Sequence, residues 1–225
     1  MIWYLTVHPE LNGDGRRRAH ISRDGWDGLD SELLRKMREI EASLRTRRDL
    51  HLSLIEKSGI LPSGTVFFSK PLPDMTRLPF DRRRERASWF DQARETVKRC
   101  DLIFLDPDNG LEVRSVSLSS RLAGKYATVA EIAALLSTGA GVVFYQHCDR
   151  SPWKIQRARI CEQIALGVGG SGVTIRSVRF GAFGSRAFFC LTQGQGGIAT
   201  SMDRGLGRFE EKITEWKGSR YFLIE

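Results

Sequence analysis

The sequence predicts an α/β protein built as a single three-layer domain over residues 1–225, with a mostly parallel sheet and a C-terminal antiparallel hairpin. Short apolar segments rich in β-branched and aromatic residues alternate with amphipathic segments at helical spacing. Late in the chain, segments 173–180 and 186–192 are separated by a Gly-containing loop, which is typical of a hairpin. A chain of 225 residues with 41% hydrophobic content is long enough to bury the core of such a domain.

The order of the elements favours a Rossmann-like arrangement, because strands that alternate with helices form parallel sheets with right-handed crossovers. The predicted strands are 2–7, 65–69, 102–106, 142–146, 173–180, 186–192 and 221–224. The predicted helices are 31–57, 82–99, 128–138, 153–166 and 203–217.

Cap residues support two of these helices. Asp30 or Ser31 can cap the helix that follows, and Thr128 can accept a backbone N–H at the start of 128–138. Gly139 is a suitable residue to end that helix, since it tolerates the left-handed conformation. The Gly-rich segments 167–172 and 194–197 are predicted to be loops.

The charge of the chain indicates a polyanionic partner. The formal net charge is +8, and 27 of the 35 basic residues are Arg, whose planar guanidinium matches phosphate geometry. We therefore expect DNA, double-stranded and modified, as the partner. The predicted phosphate-binding residues are Arg16, Arg17, Arg18, Arg82, Arg83, Arg150 and Lys154.

Other features set the expected compartment. The four cysteines have no metal-binding spacing, so we expect neither a metal site nor disulfides. No apolar stretch approaches the length of a membrane span, and residues 1–7 lack the basic segment of a signal peptide. We expect a cytoplasmic protein with no membrane association and no obligate protein partner.

The most informative segment is 101–110, in which an apolar strand ends in Asp106-Pro107-Asp108-Asn109-Gly110. Ligands of open α/β sheets bind beyond the carboxyl ends of the strands. Pro107 stiffens the turn, and Gly110 can adopt a positive φ. Asp106, Asp108 and Asn109 are therefore predicted catalytic residues.

A second strand, 142–146, ends in a similar way and is expected to neighbour 102–106, because one helix connects them. His147 can donate a proton or a hydrogen bond and completes the predicted catalytic set. Tyr145 can stack on a base and Gln146 can read its hydrogen-bonding edge, and Phe68 is a further predicted base-binding residue.

Two families of nucleic-acid enzymes share parts of this pattern. Asp106-Pro107-Asp108-Asn109 resembles the (Asp/Asn)-Pro-Pro-(Tyr/Phe) motif of amino-methyltransferases, which use S-adenosylmethionine. In those enzymes the polar group of the motif holds the exocyclic amine of a flipped base. The order of strand, helix, strand, helix and hairpin over 101–193 is also similar to the end of that fold.

Asp106-Pro107 at a strand end is also similar to the water-activating motif of the uracil-DNA glycosylase superfamily, and His147 resembles the leaving-group histidine in placement. The resemblance implies that Asp106 or Asp108 acts on water, while Asn109, Gln146 or His147 donates to the departing base. No GxGxG-type turn follows an earlier strand, and hydrolysis of an N-glycosidic bond needs no cofactor.

The sequence therefore predicts a base-flipping DNA glycosylase that excises a modified base without a cofactor and leaves an abasic site. One form of this hypothesis is a resemblance to bacterial defence glycosylases that remove bulky modified cytosines from bacteriophage DNA. The alternatives are an S-adenosylmethionine-dependent nucleic-acid methyltransferase and a non-catalytic nucleic-acid-binding relative.

Overall fold

The structure, a computed structural model, describes residues 1–6, 28–46, 52–74, 78–169, 172–181, 185–216 and 219–225. These residues form two compact units. The described residues of the first unit are 1–6, 66–74, 78–169, 172–181, 185–208 and 221–225. Those of the second unit are 28–46, 52–65, 209–216 and 219–220. A single domain over the whole chain stays a prediction.

The first unit is a mixed α/β structure around a six-stranded sheet in the order β1-β2-β5-β7-β6-β8. Its strands are β1 (Ile2–Trp3), β2 (Leu102–Asp106), β5 (Gly141–His147), β6 (Val173–Phe180), β7 (Arg186–Gln193) and β8 (Phe222–Ile224). Two further short strands, β3 (Gly110–Leu111) and β4 (Tyr126–Ala127), form a separate parallel pair that the sequence does not predict.

The sheet is parallel on one side and antiparallel on the other. β2 is parallel to both β1 and β5, with Leu105 opposite Phe144, which confirms the predicted neighbours. β7 is antiparallel to β5 and to β6, and β8 is antiparallel to β6. The pairing of β6 with β7 confirms the antiparallel part of the predicted hairpin; residues 182–184 between them lie outside the described residues.

The described helices match the predicted segments with shifted ends. They are α1 (Ser31–Thr46), α2 (Ser53–Lys57), α3 (Pro79–Val97), α4 (Val129–Leu136), α5 (Trp153–Gly167) and α6 (Gly197–Glu215). The segment predicted as one helix over 31–57 contains two. Single-turn 3-10 helices cover Arg121–Lys125 and Ser219–Tyr221.

Helix α4 shows the predicted local chemistry. The Thr128 side chain accepts the Glu131 backbone N–H, and the Glu131 carboxylate accepts the Thr128 backbone N–H, which completes a capping box. Gly139 follows the helix at a φ of +87°, as the sequence predicts.

One face of the sheet carries the core. Alternate residues of β2 and β5, Ile103 and Leu105 with Val142 and Phe144, are buried together. They belong to one hydrophobic cluster with Trp89 and other residues of α3, α4 and α5. We call this the first face.

The intervening residues form a second face that is less buried. Phe104, Asp106 and Tyr145 are half-buried there, and His147 is exposed. The amino end of this face is covered by α6, since a Cβ at Gly141 would lie 2.9 Å from the Met202 methyl carbon.

Helix α6 begins earlier than the sequence predicts, at Gly197 rather than residue 203. The physical reason is tertiary packing. Ile198 and Met202, one helical turn apart, both approach Gly141, so their contacts outweigh the turn propensity of the glycines that begin the helix.

The first predicted strands are shorter than expected. β1 covers Ile2–Trp3, and the predicted strand 65–69 contributes an isolated parallel bridge between Ile2 and Phe68. Backbone hydrogen bonds nonetheless run along this pair, from Trp3 N to Phe68 O at 3.1 Å and from Leu72 N to Leu5 O at 2.7 Å. Segment 66–72 therefore lies beside β1 on the side away from β2.

A buried ion pair joins the core elements. Arg86 on α3 contacts both carboxylate oxygens of Glu131, at 2.9 and 3.0 Å, and donates to the carbonyls of Ala123 and Tyr126. The Tyr4 hydroxyl donates to the same carboxylate at 3.1 Å. Burial, together with the Glu131 charge, raises the pKa of Tyr4. This network fixes α3 against the start of α4.

The second unit contains α1, α2 and the C-terminal part of α6. The Asp30 carboxylate accepts the Leu33 backbone N–H at 2.9 Å, which confirms one of the two predicted caps. Lys36 pairs with Glu32 and donates to the carbonyl of Gly59, so it ties α1 to the turn after α2. Among the described helices of the chain, none has the length and apolar character needed to cross a membrane.

Candidate functional site at the carboxyl ends of β2 and β5

Asp106 is the last residue of β2 and lies half-buried on the second face. Because β2 and β5 are parallel, their carboxyl ends meet at one edge of the sheet. Burial, and secondarily the charge of Asp108, raises the pKa of Asp106 from 3.8 to about 6. The carboxyl group can therefore exchange a proton near neutral pH, which suits an acid–base group.

Asp108 differs from Asp106 in its surroundings. Its side chain is exposed, and one carboxylate oxygen lies 3.5 Å from the Lys125 ammonium. The backbone N–H of Asn109 donates to the carbonyl of Lys125 at 2.8 Å, so the same residue anchors the turn twice. Of the two predicted carboxylates, Asp106 has the more strongly altered environment.

The turn after β2 is locked by the carboxamide of Gln146. Its oxygen accepts the Leu111 N–H at 2.9 Å, and its nitrogen donates to the carbonyls of Asn109 and His147 at 3.2 and 2.9 Å. The His147 N–H also donates to the Asn109 carbonyl. Gln146 is buried on the first face, so its position supports a positioning role rather than the predicted contact with a base.

Gly110 makes this lock possible. Its φ is +106°, as the sequence predicts, and a Cβ there would lie 2.4 Å from the Gln146 oxygen. Asn109 itself is half-buried, and its backbone carbonyl accepts a hydrogen bond from the Gln146 carboxamide.

Tyr145 and His147 lie on the same face as Asp106, since they alternate with Gln146 along β5. The Tyr145 hydroxyl lies 3.3 Å from His147 Nδ1, within hydrogen-bond distance. Burial raises the pKa of Tyr145; the Arg186 charge opposes this effect, and the charge of Asp106 adds to it. The structure thus brings together Asp106, Tyr145 and His147 of the predicted set.

Two phenylalanines extend this surface. Phe188 of β7 meets the Tyr145 ring edge-on, with ring centroids 5.9 Å apart, and lies 6.1 Å from the Phe104 ring. All three rings are half-buried. They form a continuous aromatic surface next to Asp106, which we call the aromatic platform (Phe104, Tyr145, Phe188).

The remaining predicted site residues lie elsewhere. Phe68 is buried in the core, with its ring edge-on to Trp89 at 5.5 Å, so its position gives no support to a base-binding role. Arg82 is buried on α3, which leaves Arg83 as the exposed member of that predicted pair. Arg16, Arg17 and Arg18 lie outside the described residues.

Arg150 and Lys154 are exposed between the end of β5 and the first turn of α5. They follow the carboxyl end of β5, which lies at the same edge of the sheet as Asp106. Their placement is compatible with the phosphate contacts predicted for them, which stay a prediction.

Arg186, the first residue of β7, is paired with His147 across the sheet and is a candidate site residue that the sequence did not predict. The signal was available only in part. The antiparallel pairing of β7 with β6 was predicted, because a short Gly-containing loop separates them. The sequence of β7 does not reveal that its other neighbour in the sheet is β5.

Comparisons with known proteins give no family. No protein-family model matches the chain, and neither curated proteins nor solved structures contain a match. Within the described part of the chain, no three His, Cys, Asp or Glu side chains group as metal ligands would.

Proposed function

We propose that this chain is an S-adenosylmethionine-dependent methyltransferase that acts on an amino group of a nucleic-acid base. The observation that carries the proposal is the position of the Asp106–Asn109 turn. It follows β2 at the edge where β2 and β5 end, and it resembles the amine-binding motif of nucleic-acid methyltransferases.

The strand order adds support. With segment 66–72 included, the order is 66–72, β1, β2, β5, β7, β6, β8, and β7 lies antiparallel between β5 and β6. The order of strand, helix, strand, helix and paired antiparallel strands over 101–193 is the feature that resembles the end of the methyltransferase fold, and the three-layer Rossmann-like arrangement predicted from the sequence belongs to the same proposal. Because one fold can host several chemistries, the function is argued from Asp106 and its neighbours.

In this proposal the chain's own residues bind the base and accept one proton from it. The ionised Asp106 carboxylate accepts a hydrogen bond from the exocyclic amine and takes up the proton that the amine loses. Its pKa of about 6 leaves it mostly ionised at neutral pH. The ring of Tyr145 offers a stacking surface beside it.

S-adenosylmethionine would supply the methyl group. The fit of this cofactor is supported by strand order alone: β1 lies between β2 and segment 66–72, with Trp3 opposite Asp106, so the residues that follow β1, up to Thr6, lie at the same edge of the sheet as the Asp106–Asn109 turn. Residues 7–27 follow this point and lie outside the described residues, so we assign no side chain to the cofactor.

Base excision, the function that the sequence favours, is the second candidate. Its specific support is the raised pKa of Asp106, because a half-buried carboxylate that titrates near pH 6 can orient and deprotonate water. In that case no cofactor takes part, and His147 donates to the departing base. Removal of bulky modified cytosines from viral DNA remains a narrower form of this candidate.

One experiment separates the two. The purified chain is incubated with RNA and with unmodified, uracil-containing and phage-modified DNA. Each reaction is run with and without S-adenosylmethionine, and the masses of the products are measured by mass spectrometry. The proposal predicts a gain of one methyl group that depends on the cofactor and is lost in Asp106→Asn. A free base released without cofactor would support excision instead.

A further inference from the structure

Arg186 is an exposed cation at the edge of the aromatic platform. It is the first residue of β7, and it is paired with His147, the last residue of β5. Tyr145 is opposite Phe188, two residues further along β7, so Arg186 and Tyr145 are diagonal neighbours on one face. Such neighbours lie about 7–8 Å apart between Cα atoms.

Arg186 lacks the partners that other basic residues near this edge have. Lys125 pairs with Asp108, and Arg159 pairs with Asp149 at 2.6 Å. Among the described residues, Arg186 forms neither an ion pair nor a side-chain hydrogen bond. An exposed guanidinium with all its donors unused, beside half-buried aromatic rings, is suited to an anion attached to a planar group.

We propose that Arg186 and Tyr145 together bind one nucleotide, with its base stacked on the Tyr145 ring and its phosphate held by the Arg186 guanidinium. Because Arg186 and Tyr145 are diagonal neighbours on one face and the Arg side chain is long, the guanidinium can reach an anion next to the Tyr145 ring. The stacked base would lie over the second face, which Asp106 and Tyr145 share at the carboxyl ends of the neighbouring strands β2 and β5.

The ligand class follows from this geometry. A base can lie flat on the Tyr145 ring only when it has left its own stack, so the site takes a single-stranded or extruded nucleotide. Paired bases in an intact duplex would not reach a half-buried ring at a sheet face. This inference deepens the proposed function, on which it rests for the identity of the ligand as nucleic acid.

The test measures binding of a fluorescein-labelled single-stranded 12-mer oligonucleotide to the full chain by anisotropy, over a series of salt concentrations. Arg186→Ala is compared with Arg99→Ala. Arg99 is an exposed arginine just before β2, at the opposite edge of the sheet. Tyr145→Phe keeps a stacking ring, and Tyr145→Leu removes it.

The expected result is about tenfold weaker binding for Arg186→Ala, with a salt slope lower by about 0.7 for the one lost phosphate contact. Arg99→Ala should bind like the unchanged chain. Tyr145→Leu should bind several-fold more weakly, and Tyr145→Phe, which keeps the ring, should lose less affinity than Tyr145→Leu. Equal losses for Arg186→Ala and Arg99→Ala would overturn the inference, as would no binding by the unchanged chain.

The two proposals fail in different ways. If no methyl group is transferred but Arg186→Ala and Tyr145→Leu still weaken binding, the nucleotide site stands and the methyltransferase proposal falls. If methyl transfer is intact but both variants bind normally, the nucleotide site falls alone.

Discussion

Gly110 and Gln146 are fitted so closely that residue 110 has no room for a side chain. A Cβ at Gly110 would lie 2.4 Å from the Gln146 carboxamide oxygen and 2.9 Å from its Cα, and the φ of +106° is itself unfavourable for other residues. The same oxygen accepts the Leu111 N–H. The turn that carries Asp106–Asn109 is therefore held by a contact that only glycine allows.

Gly110→Ala should destabilise the protein and disturb the site. Strain at a positive φ costs roughly 1–3 kcal/mol, and the steric clash adds about 1–3 kcal/mol. The control is Gly139→Ala, since Gly139 has a φ of +87° with nothing within 4 Å of its Cβ position. Urea denaturation measures both. An equal loss of unfolding free energy in the two variants would contradict the proposed fit.

The raised pKa of Asp106 predicts a pH dependence of stability. Its pKa of about 6 in the folded protein exceeds the ordinary 3.8, so the folded state binds the proton more tightly than the unfolded state. The resulting stabilisation is complete below about pH 4 and is lost as the pH rises through 6.

Asp106→Asn should therefore raise the unfolding free energy at pH 7.5 by on the order of 2 kcal/mol and remove this pH-dependent part. Asp101→Asn, an exposed carboxylate just before β2, is the control and should change little. The measurement is urea denaturation of each variant at pH 5 and 7.5. An Asp106→Asn variant that is less stable at pH 7.5 would contradict the assigned environment.

Activity should follow the ionised form of Asp106. Both the proposed methyl transfer and the second candidate need the carboxylate, so kcat/KM should rise with pH and level off above an inflection near pH 6. The check is a pH–rate profile on whichever nucleic acid the product analysis identifies. An inflection more than about one unit away would remove Asp106 from the proton-transfer role.

Glu131→Gln should be strongly destabilising, because it leaves the buried Arg86 guanidinium without its carboxylate. Breaking a buried ion pair in this way costs about 3–5 kcal/mol. Glu95→Gln is the matched control, since Glu95 pairs with Lys98 at an exposed position and its loss should cost less than about 1 kcal/mol. Similar denaturation midpoints for the two variants would show that the buried network contributes little.

The parts of the fold that were predicted well have strong local signals. β2 and β5 are apolar runs that end in turn residues, and α4 has both its N-terminal cap and its terminal glycine in the sequence. The prediction from local sequence failed where tertiary contacts determine the start of an element. α6 begins in a Gly-rich segment because Ile198 and Met202 pack near Gly141, which lies more than fifty residues earlier.

The site was predicted in part for a related reason. Residue type and strand position predicted that Asp106, Tyr145 and His147 lie at one edge of the sheet. Because side chains alternate along a strand, the sequence also implies that Gln146 points to the face opposite to that of Tyr145 and His147. Arg186 depended on where β7 lies in the sheet. Local pattern does not encode that position, because several orders of the same strands satisfy it.

The most direct test of the account is the mass of nucleic acid after incubation with the chain and S-adenosylmethionine, compared with the Asp106→Asn variant and with reactions that lack the cofactor. We expect one added methyl group on a base amino group, present only with the cofactor and absent in Asp106→Asn. Release of a free base without cofactor, with no methyl gain on any substrate, would contradict the account.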